Sequence, residues 1–418
     1  MRNSKTLALE VVERCQALAR HSEDTGSIRR TFLCPAMRGC HQKITSWLAP
    51  LGASSRIDAA GNLRITYPSS EANAPRLLLG SHLDSVPNAG AYDGILGVVL
   101  AAALLSALEG RKLPYAVELV GFSEEEGVRF ATPFLGSRAL VGTLNADMLG
   151  RKDAQGVTIM EAIEGFGLNP LEIPEARIGE NVLGYIEFHI EQGPLLESLG
   201  HPLGVVETIV GQSRLEVTFL GHANHAGTTP MHLRQDALAA AAEWICAVEN
   251  HAKHTSELVA TVGAIQAKPG TGNVIAGEAR LSLDVRHRVD TARKTAVSYL
   301  LHEAEEIATR RGLTVRSRIL LEQPAVPMNP FLVEQAAKAV SLAGCEAYRM
   351  VSGAGHDAMI MASRVPSAMI FLRTPGGVSH DPEESVAVAD VAKAIECGCH
   401  LLERLANSEE FLRRKQHA

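Results

Sequence analysis

Apolar residues recur at helical spacing from Leu7 to Arg20, and again from His41 to Leu51. Two short apolar runs follow, LLLG (Leu77–Gly80) and AVELVGF (Ala116–Phe122), with the apolar stretch Gly94–Leu108 between them. Runs this short fit buried strands, and the longer stretch fits a buried helix. At about 15 residues it falls short of the roughly 20 that a membrane-spanning helix needs. LGYIEFHI (Leu183–Ile190) reads as a further strand. Buried strands separated by helices predict an α/β domain whose sheet is mostly parallel and flanked by helices.

The pattern changes near Gly211. RLEVTFL (Arg214–Leu220) alternates polar and apolar positions, as a half-exposed strand does. A loop, HANHAGTTP, and a helix from Arg234 to about His251 follow. Alternating strands lie within Leu258–Ala267 and Arg280–Arg286, and a helix from about Thr291 to Arg311 precedes a last strand near Leu313–Leu321. This β-α-β-β-α-β order predicts a small α+β, ferredoxin-like sandwich of one sheet and two helices. From about Pro324 the helix–strand alternation resumes, with PSAMIFL (Pro366–Leu372) as a strand and Val386–Leu405 as a closing helix. The expected organisation is a large domain, residues 1–210 and 326–418, interrupted by an inserted domain, residues 211–325.

The 418 residues carry a net charge of -7 and only 4% aromatic side chains. Negative charge disfavours nucleic acid and anionic membranes as partners, and few aromatics are available as stacking platforms. The seven cysteines are scattered and contain no CxxC pair. That argues against a disulfide framework or a thiolate zinc site, and for a reducing, cytoplasmic setting. The N-terminal pattern interleaves charges with apolar residues, unlike the continuous apolar core of a signal peptide.

Histidines and carboxylates gather just after the predicted strands. In LLLGSHLDSVPNAGAYDG a strand ends at Gly80, and His82, Asp84 and Asp93 follow. Open α/β sheets bind ligands beyond the carboxyl ends of their strands. His82 and Asp93 offer nitrogen and oxygen donors suited to a divalent ion, and Asp84 can hold the imidazole from behind. Taken alone, the HxD triplet also fits a hydrogen-bonded turn. SEEEGVRF sets Glu124, Glu125 and Glu126 after another strand. Adjacent carboxylates repel, and a bound cation relieves that repulsion; one can ligate while its neighbour takes a proton from metal-bound water. A solvated acidic loop is the alternative. In YIEFHIEQGP, strand periodicity turns Tyr185, Glu187, His189 and Glu191 to one face and Ile186, Phe188 and Ile190 to the other. PGGVSHDPEES puts His380 in a glycine-rich loop after one more strand. Such repetition across one sheet is difficult to explain as surface decoration.

GSHLDSVPNAGAYDG, SEEEGVRF, FHIEQGP, NHAGTTPM and SHDPEES occur in this order. Over nearly the whole chain the set resembles the N-carbamoyl-L-amino acid hydrolase, allantoate amidohydrolase and β-ureidopropionase branch of the dinuclear zinc metallopeptidase superfamily. The resemblance implies two divalent ions per subunit, zinc first, with manganese, cobalt or nickel also compatible with the donors. It implies His82 and His189 on one ion, Glu126 and His380 on the other, Asp93 bridging, Glu125 as general base and Asp84 in support. Peptidase relatives have a carboxylate at the position of His189, so histidine there points to a ureido or amide substrate. The resemblance further implies Gln192, His225, Asn273 and Arg286 as substrate contacts, and Gly355 and His356 of GAGHDAM in a loop facing the substrate. Asn273 lies in GTGNVIAGE, where the family often has proline at the position of Ala276.

The implied reaction is hydrolysis of an N-carbamoyl-L-amino acid or allantoate-type substrate by a metal-bridging hydroxide. Glu125 would shuttle the proton, His225 would stabilise the oxyanion, and Asn273 and Arg286 would hold the substrate carboxylate. Strand alternation turns Arg286 away from Leu281, Leu283 and Val285, leaving its guanidinium free to grip a carboxylate. His225 belongs to the inserted domain, so either the domains close or a partner subunit supplies it. The resemblance implies a homodimer built through the inserted domain, which acts as dimerisation element and lid. The competing readings are an aminoacylase or dipeptidase with the same metals, and a non-catalytic binding protein on the same scaffold.

Overall fold

A computed structural model describes residues 3–413; the outermost residues of the expected large domain, 1–2 and 414–418, lie outside the described residues. The chain forms two compact units, Met1–Glu207 with Met328–Ala418, and Thr208–Pro327. The leading segment holds β1 (Ser54–Ile57), β2 (Leu63–Tyr67), β3 (Arg76–His82), β4 (Ala116–Phe122), β5 (Val182–Ile190) and β6 (Leu203–Ile209). The inserted segment holds β7 (Gly211–Leu220), β8 (Asn224–His225), β9 (Val259–Thr261), β10 (Ile265–Lys268), β11 (Val274–Ile275), β12 (Glu278–His287), β13 (Thr314–Gln323) and β14 (Val326–Pro327). β15 (Tyr348–Ser352) and β16 (Ser367–Leu372) follow.

The sheet of the large unit runs β1-β2-β4-β3-β5-β16-β6, with β15 also paired to β6. Its centre is parallel: β3 pairs in parallel with β4 and β5, and β5 with β16. β1, β2 and β6 add antiparallel strands at the sides. β4 and β16 are buried at every position, and β3 and β5 at all but their first. Central parallel strands are covered on both faces, which is why these runs are almost continuously apolar. The helix Ile95–Ala107, buried along its whole length, packs on β3 and β5, so it has no polar stripe. β1, β2, β6 and β15 were not foreseen from the pattern, nor was the helix Pro330–Leu342.

The inserted unit is antiparallel throughout. β12 lies between β7 and the two short pieces β9 and β10, and β7 pairs with β13. The second and fourth strands in chain order therefore form the edges, as in split β-α-β folds. The single strand expected within Leu258–Ala267 is broken in two. Helices Ala237–His254 and Asp290–Arg310 close a core that includes Phe219, Trp244, Leu281 and Leu300. Trp244 donates its indole N–H to the Leu300 carbonyl at 2.7 Å, so the largest side chain there is buried without an unpaired donor. Among the described residues no helix is long and apolar enough to cross a membrane.

Candidate active site

Four parallel strands deliver the candidate residues to one end of the sheet. His82 is the last residue of β3, and the loop beyond it runs through Asp84 to Asp93, just ahead of the helix Ile95–Ala107. Glu124, Glu125 and Glu126 follow β4, His189 is the penultimate residue of β5, and His380 lies in the loop after β16. Parallel pairing aligns these carboxyl ends side by side, so short loops bring distant motifs together.

Among the described residues the donors form four overlapping groups, two of which share Asp93. His82 Nε2 and His189 Nε2 face each other at 3.4 Å, with Asp93 Oδ1 at 3.8 and 3.3 Å from them. On the other side, Asp93 Oδ2 lies 3.1 Å from His380 Nε2, and Glu126 Oε1 lies 3.5 Å from the same nitrogen. Asp93 thus turns one oxygen to each group. The histidine tautomers follow from their outer contacts: His82 Nδ1 is 3.1 Å from the Asp84 carbonyl and His189 Nδ1 is 2.8 Å from the Ile190 carbonyl. A carbonyl only accepts, so both Nδ1 atoms carry protons and the Nε2 lone pairs of the neutral rings converge with a carboxylate oxygen. Three electron-pair donors so placed repel one another unless positive charge lies among them. Nitrogen and carboxylate donors at this spacing fit a divalent ion, and the Asp93, Glu126 and His380 group fits a second.

The electrostatics keep His189 neutral and draw positive charge onto His82. Burial pushes His189 down to about 4, keeping its ring neutral as a ligand must be. Burial also opposes charge on His82, but Asp84, Glu125 and Asp93 outweigh it and hold its pKa well above the ordinary value. Burial opposes charge on Asp93 as well, yet the three histidines keep its carboxyl below the usual range. Burial raises Glu126 to about 7 and lifts Glu125 well above the carboxylate range. The backbone is shaped to the same end. Gly94 has φ of 67°, and a Cβ there would lie 2.4 Å from the His82 ring. His380 (φ 57°) and Gln192 (φ 59°) are left-handed without being glycine, a conformation most residues avoid.

Residues 78–404 match the model of Peptidase family M20/M25/M40. The chain belongs to this family. It is 37% identical to allantoate deiminase 2 of Glycine max, over 95% of this chain and 89% of that protein. It is 36% identical to the N-carbamoyl-L-amino acid amidohydrolase of Geobacillus stearothermophilus, over 93% of this chain and 95% of that protein. It is also similar to the crystal structure of a hydantoinase/carbamoylase family amidase from Burkholderia multivorans, with a TM-score of 0.89, 30% identity and coverage of 95% and 97% of the two chains. Within the M20 family the chain stands in the amidohydrolase branch, as its ordered motifs implied.

Several residues of this M20 chain sit differently from expectation. Asp84 lies behind the His82 ring: its carbonyl is the nearer group, its Oδ1 stands 3.5 Å from His82 Nδ1, and its carboxylate also accepts the backbone N–H groups of Glu125 (2.9 Å) and Glu126 (3.0 Å). The cause is β3–β4 pairing, which sets the Glu loop beside Asp84. The polar side of β5 is interior: Tyr185, Glu187 and His189 are buried, because β5 is a central strand. Gln192 donates from Nε2 to both Asp93 oxygens at 3.1 Å, while its Oε1 is buried without a partner among the described residues. His356, next to Gly355 in the loop after β15, packs edge-on against His189 with ring centres 4.4 Å apart, and its Nε2 is 3.0 Å from Ser352 Oγ.

Asp357 and Glu384 escaped the sequence reading, and Glu187 was placed on the face of His189 without a role. Glu187 accepts from Ser81 Oγ at 2.7 Å and from the Ala358 N–H at 2.9 Å. Asp357 is wholly buried beside it. The pocket is thus more acidic than its ligands alone.

In the inserted unit, β8 pairs with β11 so that His225 stands opposite Val274. The Ala226 N–H donates to the Asn273 carbonyl at 2.9 Å, making His225 and Asn273 neighbours on one ribbon. The Gly227 N–H donates to His225 Nδ1 at 3.1 Å, so in the neutral ring the proton sits on the exposed Nε2. Arg286 is not free as expected. Its Nε and Nη2 donate to the two oxygens of Asp284 at 2.8 and 3.0 Å, because residues two apart on a strand share a face.

Proposed function

We propose that this M20 amidohydrolase uses two divalent ions to cleave the carbamoyl C–N bond of a small, carboxylate-bearing ureido substrate of the allantoate or N-carbamoyl-L-amino acid type. The observation that carries the reading is the pair of donor groups divided by Asp93, with two buried histidines on one side. Similarity to relatives named for allantoate and for N-carbamoyl-L-amino acids supports the substrate class. His82, His189 and one Asp93 oxygen would hold the first ion; Glu126, His380 and the other oxygen would hold the second. When bound, the ions polarise the scissile carbonyl and make the attacking water acidic enough to react near neutral pH.

The chain's own residues supply the rest. Glu125, whose carboxylate clusters with His82 and Glu126, takes the proton from the attacking water and returns it to the leaving nitrogen as the C–N bond breaks. Burial raises its pKa, which makes it the stronger base. Asp84 holds the Glu125 backbone in register, and the unpaired Gln192 Oε1 offers an acceptor for a ureido N–H. His225 supports the oxyanion through Nε2–H, while Asn273 and Arg286 hold the substrate carboxylate, which competes with Asp284 for the guanidinium. A homodimer through the inserted units, with His225 supplied across it, would complete the site. Ile319 and Leu320 of edge strand β13, 62% and 54% exposed, support such pairing. Ammonia release from allantoate or an N-carbamoyl-L-amino acid, abolished by a chelator and restored by divalent metal, is the expected result. Turnover that survives complete metal removal would overturn the proposal.

A further inference from the structure

Asp93 and His380 sit on loops far apart in sequence, one before the helix Ile95–Ala107 and the other after β16. Glu384, four residues beyond His380, ties those loops together. It is 5% exposed, and its Oε1 accepts the backbone N–H groups of both Tyr92 (2.8 Å) and Asp93 (3.0 Å). Its own N–H closes a turn on the Asp381 carbonyl at 3.0 Å, so the side chain leaves a fixed point of the His380 loop. Gly90 makes room for it: a Cβ at that position would lie 2.4 Å from Glu384 Cβ and 2.5 Å from its Oε1. From the far side, Gln16 donates to the Tyr92 hydroxyl at 3.0 Å. One oxygen that accepts two successive peptide N–H groups fixes the peptide plane between them, and with it the direction in which the Asp93 side chain leaves the backbone. Among the described residues Glu384 belongs to none of the donor groups.

We infer that Glu384 is a positioning residue that locks the Asp93 loop to the His380 loop, so that each Asp93 oxygen faces its own donor group. The inference rests on the two-ion reading of the site. Its role is to hold a ligand's backbone rather than to touch an ion or the substrate. Partners of this kind are typically worth about 10- to 100-fold in metal affinity.

The test is calorimetric titration of the full-length, metal-stripped protein with Zn²⁺, and its visible spectrum with Co²⁺, for wild type, Glu384→Gln, Glu384→Ala and Gly90→Ala. Glutamine keeps an oxygen that can accept both amides, so Glu384→Gln should bind both ions nearly as wild type does. Glu384→Ala should lose about 10- to 100-fold in affinity for at least one ion, with an altered Co²⁺ spectrum and a lower kcat at unchanged KM. Gly90→Ala, which displaces Glu384 without altering its charge, should reproduce the loss. Wild-type affinity in Glu384→Ala, or a loss in Glu384→Gln as large as in Glu384→Ala, would overturn the inference. Should Glu384→Ala fail to fold, undiminished affinity in Gly90→Ala would overturn it. Wild-type protein that takes up fewer than two ions would instead overturn the two-ion reading.

Discussion

Each of the two facing histidines, His82 and His189, spends its Nδ1 proton on a carbonyl, and that one choice decides what the inner side of the ring can do. With the proton held at Asp84 or Ile190, the Nε2 atom of each ring, when that ring is neutral, is a base aimed at the other and at Asp93. Glu125 differs from the neighbouring ligand in its assigned task, not in its chemistry. Glu125→Gln keeps the shape but removes the base, so kcat should fall by about 100- to 10,000-fold with metal content by elemental analysis unchanged. Full activity in that variant would remove Glu125 from the mechanism. Asp84→Ala would leave the buried amides of Glu125 and Glu126 unpaired, at about 1–3 kcal/mol each, which urea unfolding would register. The five residues proposed as ligands stood out in the sequence because each lies within a short motif near a strand end, and the resemblance of those ordered motifs to a family named them as a set. Asp357 and the burial of Glu187 did not stand out, because they depend on the layers that cover β5 and on the loop after β15, which no local spacing encodes. Arg286 was misjudged for a similar reason: alternation placed it on the correct face but gave no weight to Asp284 beside it.

At the scale of elements, the parallel strands were readable wherever burial on both faces left an almost unbroken apolar run, as in β4 and β16. β1 is exposed throughout and β15 only partly buried, so neither carries that signature. The helix Pro35–Leu48 holds a different feature, His41, which is buried with neither ring nitrogen hydrogen-bonded among the described residues. Burial, reinforced by Arg38 and Arg30, lowers its pKa to about 4. The unfolded chain takes up a proton near pH 6.5, but the native ring refuses one until about pH 4. Stability should therefore fall as the pH drops through that window, by at most about 3 kcal/mol from this group. His41→Leu should flatten that part of the slope, read from urea unfolding at pH 7 and pH 4.5. Identical slopes in the two proteins would show that His41 is not the source.

For the whole molecule, the proposed ions would tie function to stability, because a ligand that binds only the native state stabilises it by mass action, by about 4 kcal/mol at 1,000 times Kd. Chelation should lower Tm, and zinc should restore it. The inserted unit adds a second global requirement if His225 serves a partner's site. Ile319→Asp on β13 should then shift sedimentation from dimer to monomer and abolish turnover together; a fully active monomer would show that His225 is not supplied across a dimer. The claim that everything else serves is the substrate class. The most direct test is a comparison of kcat/KM for allantoate and for matched N-carbamoyl and N-acetyl derivatives of the same L-amino acids, on one metal-loaded preparation. Turnover of a ureido substrate is expected, with the acetyl derivatives far poorer; preference for the acetyl series, with no ureido turnover, would contradict the proposed substrate class.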